Sequence, residues 1–450
     1  MKRTLIFINL IISGIASSIL ATAMTTALPN VIAYFGIDTS SGQWITSGYS
    51  LAMGIVMPLT AFLITKYPTK KLYMFGIGIF LAGLVCSIFA GNFGIMMVGR
   101  IMQACGNGIL VSVAQVTILT IYPIEKKGTM MGIYGLATTA APVIAPTLAG
   151  LMIDAFGWKS IFYVVLVVMV ISFFMACIVF DDVLELQDKK FDVLSFAESI
   201  LAFGGITLGI GNITSHGLIS ISAGVPLLIG IVGCICFAHR QLYLETPFLD
   251  IRILQNRQYR ISVISSMLLY FTMMGSSVLM PLYVQTVMGY SAVVSGLVTL
   301  PGSLATAIVS PFAGRMYDKM GIRKIFIVGS ICLVISNLGM AFVNMDTPLV
   351  VAAAWNILRN ISIGALMMPL LTWGTVSVKE EKVADASSLL SSFRTISGSI
   401  GSAVFVGIMM SVGSSSTLLH GLNMSFAAMS LSAFALFVLA LCGTRKTLKI

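Results

Sequence analysis

Apolar runs of membrane-crossing length follow one another from end to end of the chain, separated by short polar segments. A helix needs roughly 20 apolar residues to cross the hydrocarbon core of a bilayer. By that rule the pattern predicts fourteen helical spans, at about 4–28, 43–64, 72–91, 95–121, 129–153, 158–180, 194–213, 219–239, 261–287, 292–316, 324–344, 348–372, 388–411 and 421–442. An even number places both termini on one side. The start, MKRTLIFINLIISGIASSILATA, imitates a secretory signal, with Lys2 and Arg3 ahead of an apolar stretch and a small-residue end at Ala21, Thr22 and Ala23. The apolar run continues to Leu28, so an uncleaved first span is expected.

One polar segment occurs twice. In SPFAGRMYDKMGIRK, Ser310 to Lys324, an apolar helix is expected to end at Gly314, and a short cationic loop with Asp318, Gly321, Arg323 and Lys324 follows. The same frame stands 253 residues earlier without a gap. Pro58 answers Pro311, Thr65 answers Asp318, Lys66 answers Lys319, Pro68 answers Gly321, Lys70 and Lys71 answer Arg323 and Lys324, and Gly76 answers Gly329. Such a match marks two related halves, a common plan of secondary transporters. Two six-helix halves need twelve spans, so the pair at 194–213 and 219–239 is read as an insertion. The expected organisation is a bundle at 1–180, two linker helices with flanking loops at 181–260, and a second bundle at 261–450. The fold class is all-α integral membrane.

Charge orients the spans. Of 26 Lys and Arg, 22 fall in loops on one side, Lys159 alone falls on the other, and Arg100, Arg359 and Arg394 lie within spans. Basic loops stay cytoplasmic, so both termini are expected inside a bacterial plasma membrane. The net charge of +10 is explained by those loops and does not call for nucleic acid. With 58% hydrophobic residues, 9% charged and a mean hydropathy of +1.00, a soluble domain is excluded. The loops Asp181–Asp192 and Arg240–Arg260 are too short for folded domains and are expected along the membrane surface. The seven cysteines all sit in apolar runs, giving neither a disulfide framework nor a metal site, and His216, His239 and His420 show no ligand spacing. No metal or cofactor is expected. The absence of a GxxxxGK[ST] loop leaves an ion gradient as the energy source for any pumping.

Embedded polar residues mark function by default, because a charge in hydrocarbon is costly. Gln103, Asn107 and Gln115 follow Arg100 at +3, +7 and +15, within an arc of roughly 120° on one helix face. Two readings stand: a cavity lining, or ties between neighbouring helices. Arg359, with Trp355 and Asn356, allows the same two. Arg394, ahead of Gly398 and Gly401, is expected near the cytoplasmic start of its span, with structural and functional roles equally open. Pro142, Pro146 and Gly150 predict a fifth span built to bend. Among the acids only Glu198 lies clearly inside an apolar run, where it either reaches the interface or takes part in proton coupling.

These stretches together resemble the major facilitator superfamily, and more closely its fourteen-span drug:proton antiporters of the bacterial lincomycin-resistance exporter type. The resemblance is carried by ALPNVIAYFGIDTSSGQWITSGYSLAMGIVMPLTAFL, GRIMQACGNGIL, the fifth-span run GIYGLATTAAPVIAPTLAG, FLDIRIL, GRMYDKMGIRK, LRNISIGALMMPL and FRTISGSIGSA. It implies a gating role for the loop with Gly314, Asp318, Gly321 and Arg323, proton coupling at Arg100, and an antiporter signature at Pro146 and Gly150. The chain departs from the family pattern at Thr65, Pro68, Ala145 and Leu20, the last where an acid is common.

The expected protein is a non-enzymatic secondary transporter, monomeric in the lipid bilayer. It would export small amphipathic molecules by alternating access in exchange for protons. A solute importer or uniporter of the same fold, and a non-transporting sensor or lipid-handling protein, are the alternatives. Embedded arginines without a midplane acid point to neutral or anionic substrates over permanent cations.

Overall fold

The computed structural model describes residues 2–37, 39–183, 186, 192–216, 220–244, 247, 249–290, 292–412 and 418–444. Asp38, Lys189, Lys190, Arg445, Lys446 and Lys449, which bear on the charge reading, lie outside these residues. The helices are α1 (Lys2–Phe35), α2 (Thr39–Lys66), α3 (Thr69–Ile88), α4 (Phe93–Ile121), α5 (Ile124–Phe156), α6 (Ser160–Val179), α7 (Val193–Ser199), α8 (Gly205–His216), α9 (Ile221–Tyr243), α10 (Arg257–Leu282), α11 (Ala292–Met320), α12 (Ile322–Ala341), α13 (Leu349–Val376), α14 (Val383–Val412) and α15 (Leu418–Gly443). A π-helical turn, Ile200–Gly204, joins α7 to α8, and another, Tyr283–Val287, continues α10. Among the described residues twelve helical runs are long and apolar enough to cross a membrane. α2 and α5, of 28 and 33 residues, stand at the second and fifth expected spans.

Hydropathy marks only the part of a helix that meets hydrocarbon, while backbone hydrogen bonding continues into the interface. Most helices therefore outrun their expected spans, and two extensions change the reading. α11 does not end at Gly314 but runs to Met320, so Asp318 belongs to its last turns. The loop shrinks to Gly321, whose φ of +72° turns the chain into α12. α14 starts at Val383 rather than 388, and Asp385 in its first turn is buried at 2% exposure. Lys382 and Asp385 depress the hydropathy there and hide a helical turn.

Helices α1 to α6 pack among themselves, as do α10 to α15, with apolar cores on both sides. The duplication is visible in the packing. Gly76 of α3 faces Ile109 and Leu110 of α4, as Gly329 of α12 faces Leu366 of α13. Two helix pairs carry the main contact between the sets: α5 lies along α11, and α2 against α14. Between the two sets, α7 and α8 pack on α2, α8 also packs on α14, and α9 lies against α7 and α8. Asp192 caps α7 and pairs with Arg240 of α9 at 2.9 and 3.0 Å. That hydrogen-bonded pairing holds the Asp192 carboxyl down at about 2. Arg252 donates to the carbonyls of Leu242 and Leu244 at the end of α9, and Asp250 accepts from Lys382 ahead of α14. The FLDIRIL segment thereby ties the insertion to the second set.

Candidate functional site

The seam between α5 and α11 is built from small residues on one side and a carboxylate at its end. Gly128 and Gly132 face Ser310, Gly314 and Asp318 at successive turns. A methyl group added at Gly314 would collide with the Gly128 carbonyl oxygen, so the two backbones touch. Ser310 Oγ donates to the Gly132 carbonyl at 3.1 Å. Asp318 accepts from the Gly128 N–H at 2.8 Å and from the N–H and Oγ1–H of Thr129 at 2.7 and 2.5 Å. A carboxylate near a helix N-terminus meets the positive end of the helix dipole as well as its donors. The counterpart on α2, Thr65, is buried, and its hydroxyl donates to the Phe62 carbonyl of its own helix at 2.9 Å.

A second tie crosses the seam between α4 and α14. Gln115 Oε1 accepts from Ser387 Oγ at 3.0 Å and from Ser391 Oγ at 3.2 Å. Both ties lie toward the face that carries most of the Lys and Arg loops, where α4 ends and α5 and α14 begin.

The rest of the α4 stripe is knitted to its neighbours. Arg100 is fully buried, donates from Nε to the Ile45 carbonyl at 3.3 Å and from Nη1 to Gln103 Oε1 at 2.7 Å, and lies 4.4 Å from the Tyr49 ring centre. Gln103 passes its amide hydrogens to the Gly83 carbonyl and to Ser87 Oγ, each at 2.9 Å. Asn107 donates to Tyr49 OH at 2.8 Å. Arg100, Gln103 and Asn107 thus form one network through α2, α3 and α4, with Nη2 of Arg100 and Oδ1 of Asn107 buried and unmatched.

In the other set α13 presents a related pair in reversed order, with Arg359 donating from Nη2 to Asn356 Oδ1. Arg359 is 2% exposed and lies 5.7 Å from the Phe426 ring centre, with Nε and Nη1 unmatched. Trp355 packs against Gly339 of α12. Arg394 of α14 stands on the Tyr270 ring at 4.2 Å and donates to its hydroxyl at 2.7 Å.

Glu198 sits apart from this seam. It is half-buried and lines a groove of about 520 Å³ with His239, Arg240 and Tyr243, on the inserted pair. Arg323 is exposed at the start of α12, and Pro142 is half-buried within α5. The side chain of Pro146 lies outside the described residues, and a methyl added at Gly150 would meet nothing within 4 Å. Thr129, Ser387, Ser391, Tyr49 and Tyr270 complete the contacts and are missed by a search for embedded charge. Of these, only Ser387 and Ser391 had a usable signal, since they share a helix face with Arg394 at i, i+4 and i+7.

Two helix sets of related packing, joined along a polar seam within membrane-spanning helices, define a transporter fold. The family model of the Major Facilitator Superfamily matches residues 6–402, and the chain belongs to that family. The uncharacterized MFS-type transporter YcnB of Bacillus subtilis is 32% identical over 97% of this chain and 94% of its own length. The lincomycin resistance protein LmrB of Bacillus subtilis is 31% identical over 90% of this chain and 85% of its own. Among solved structures, that of the human organic anion transporter MFSD10 superposes with a TM-score of 0.69 at 13% identity, over 97% of this chain and 98% of that one. This likeness is one of fold.

Proposed function

We propose that the protein exports small amphipathic compounds across a bacterial plasma membrane in exchange for protons, by alternating access between residues 1–180 and 261–450, with 181–260 as a linker. The carrying observation is the position of the ties between the two sets. Asp318 on Gly128 and Thr129, and Gln115 on Ser387 and Ser391, close the face that bears the basic loops. That face is cytoplasmic by the charge rule, with both termini on it. The conformation is then closed to the inside, and Asp318 is a latch that must break for substrate to enter. Similarity to lincomycin resistance proteins supports drug export. The path runs past Gln115, Trp355, Asn356 and Arg359, with the network of Arg100, Gln103 and Asn107 behind it, and Arg100 and Glu198 are the candidates for proton coupling.

A susceptibility panel tests this in cells with and without the protein, using lincomycin and other lipophilic toxicants. Protection is expected, and it should vanish when the proton gradient is collapsed and weaken when Asp318 is replaced by Asn. Protection that persists without the gradient removes proton exchange from the account. Equal sensitivity of both strains to every compound, with the protein present in the membrane, overturns drug export.

A further inference from the structure

Arg394 is the embedded cation that stands nearest a tie between the two sets. It follows Ser391 by one turn, and Ser387, Ser391 and Arg394 fall on one face of α14, within roughly 60° of each other. That face meets α4 of the other set, because Ser387 and Ser391 both donate to Gln115. The expectation of an interfacial arginine depends on a helix starting at 388. With the start at Val383, Arg394 is eleven residues, roughly 16 Å, into the helix, and it is buried against its neighbours.

Its surroundings leave it unmatched. Arg394 is 6% exposed, and one nitrogen, Nη2, donates to Tyr270 OH at 2.7 Å. Nε and Nη1 are buried without a hydrogen-bond partner among the described residues. The hydroxyls of Ser112 on α4, one turn from Gln115, and of Ser265 and Ser266 on α10 are also buried and unmatched. Helices α2, α4, α10 and α13 contain no Asp or Glu. The single acid of α14, Asp385, lies nine residues away at the helix start. A buried guanidinium without a counter-charge is expensive, and its planar donors suit a carboxylate or phenolate oxygen. Tyr270 holds the guanidinium plane in place by stacking and by its hydroxyl, so the free donors are pre-positioned.

We propose that Arg394, stacked on Tyr270, is the recognition cation of the transport path, and that transported compounds present an anionic oxygen to it beside the Gln115 tie. This rests on the transporter reading and names its substrate class. Breaking the tie from Gln115 to Ser387 and Ser391 would carry the bound group from one side of the seam to the other, with the arginine as its counter-charge throughout.

The test uses three probes on one ring system: naphthalene-2-acetate, naphthalene-2-acetamide and (2-naphthylmethyl)trimethylammonium. Binding to the purified full-length protein is measured by equilibrium dialysis, for wild type and for Arg394→Gln, Arg394→Lys and Tyr270→Phe. Wild type should prefer the acetate over the amide by roughly tenfold or more, the worth of a charge-assisted hydrogen bond. Arg394→Gln should erase that preference while leaving amide binding in place, which shows that the variant is folded. Arg394→Lys should keep part of the preference, and Tyr270→Phe should weaken it. Equal binding of all three probes, no acetate binding at millimolar concentration, or a preference that survives in Arg394→Gln overturns the proposal and leaves hydration as the role of those donors. Gradient-dependent protection in the susceptibility panel together with a preference for the ammonium probe would sink this inference and leave the transporter reading intact.

Discussion

Asp318 of α11 and Thr129 of α5 are bound twice, through the Thr129 N–H at 2.7 Å and its hydroxyl at 2.5 Å. The two residues belong to different helix sets, so this contact exists only while the seam is closed on that side. Asp318→Asn keeps the shape but loses the charge that favours the start of α5. It should hold the closed state less well and lower the rate of gradient-driven export by roughly tenfold or more. Thr65→Ala should change export less, since Thr65 brings no charge to the seam. Transport assays on the two variants side by side check this, and the opposite ranking would show that the first repeat carries the latch.

Gly314→Ala tests the seam without touching a charge. The added methyl would collide with the Gly128 carbonyl, a backbone group that has no rotamer to escape into. Two of the three apolar clusters lie wholly within the second set and the third lies mostly within the first, so the variant should fold. Its seam should be held open near Gly314. A cysteine at Ser387, buried at 1% exposure in the closed state, should then react faster with a membrane-impermeant maleimide applied from the cytoplasmic side.

Gln103→Leu should destabilise the protein by roughly 1 to 3 kcal/mol, because it strands Nη1 of Arg100 in a buried site and removes the bonds from Gln103 to the Gly83 carbonyl and Ser87 Oγ. Gln103→Glu offers Arg100 a carboxylate and should cost less. Thermal melting in detergent orders wild type above Gln103→Glu and Gln103→Glu above Gln103→Leu.

The Asp192–Arg240 tie sets a pH expectation for the inserted pair. Pairing with Arg240 lowers the Asp192 carboxyl to about 2. A depressed carboxyl stabilises the folded form above the unfolded value, near 3.9, and loses that contribution as pH falls through about 2. Hydrogen exchange at the start of α7 should therefore be unchanged between neutral pH and pH 5 once corrected for intrinsic rates. Asp192→Asn should raise it at both.

Much of this architecture was legible in the chain, and the failures have a common cause. The repeat from Pro58 to Gly76 and from Pro311 to Gly329 was readable because loop residues recur in register, and its last members, Gly76 and Gly329, face equivalent helices in the fold. Helix ends were not readable, because Asp318, Lys382 and Asp385 lower the hydropathy of segments that are nevertheless helical. Gly314 reads as a helix end in the sequence, whereas its lack of a side chain serves contact with Gly128. The late start expected for α14 gave no sign that Arg394 is buried against Tyr270. The uncharged partners Tyr49 and Tyr270 carry no pattern that separates them from ordinary polar residues in membrane helices, and Ser387 and Ser391 are marked only by sharing a helix face with Arg394.

The central claim is that the two sets rock about this seam, and distance measurement across the end that bears the basic loops tests it most directly. Spin labels at Ile124 and Met320, both exposed and at the adjoining ends of α5 and α11, report the gap. Pulsed dipolar spectroscopy in liposomes should give a short distance for the closed state and a second, longer population that grows in Asp318→Asn and shifts with pH. A single unchanged distance in wild type and Asp318→Asn, at every pH and with transported compound present, would contradict the account.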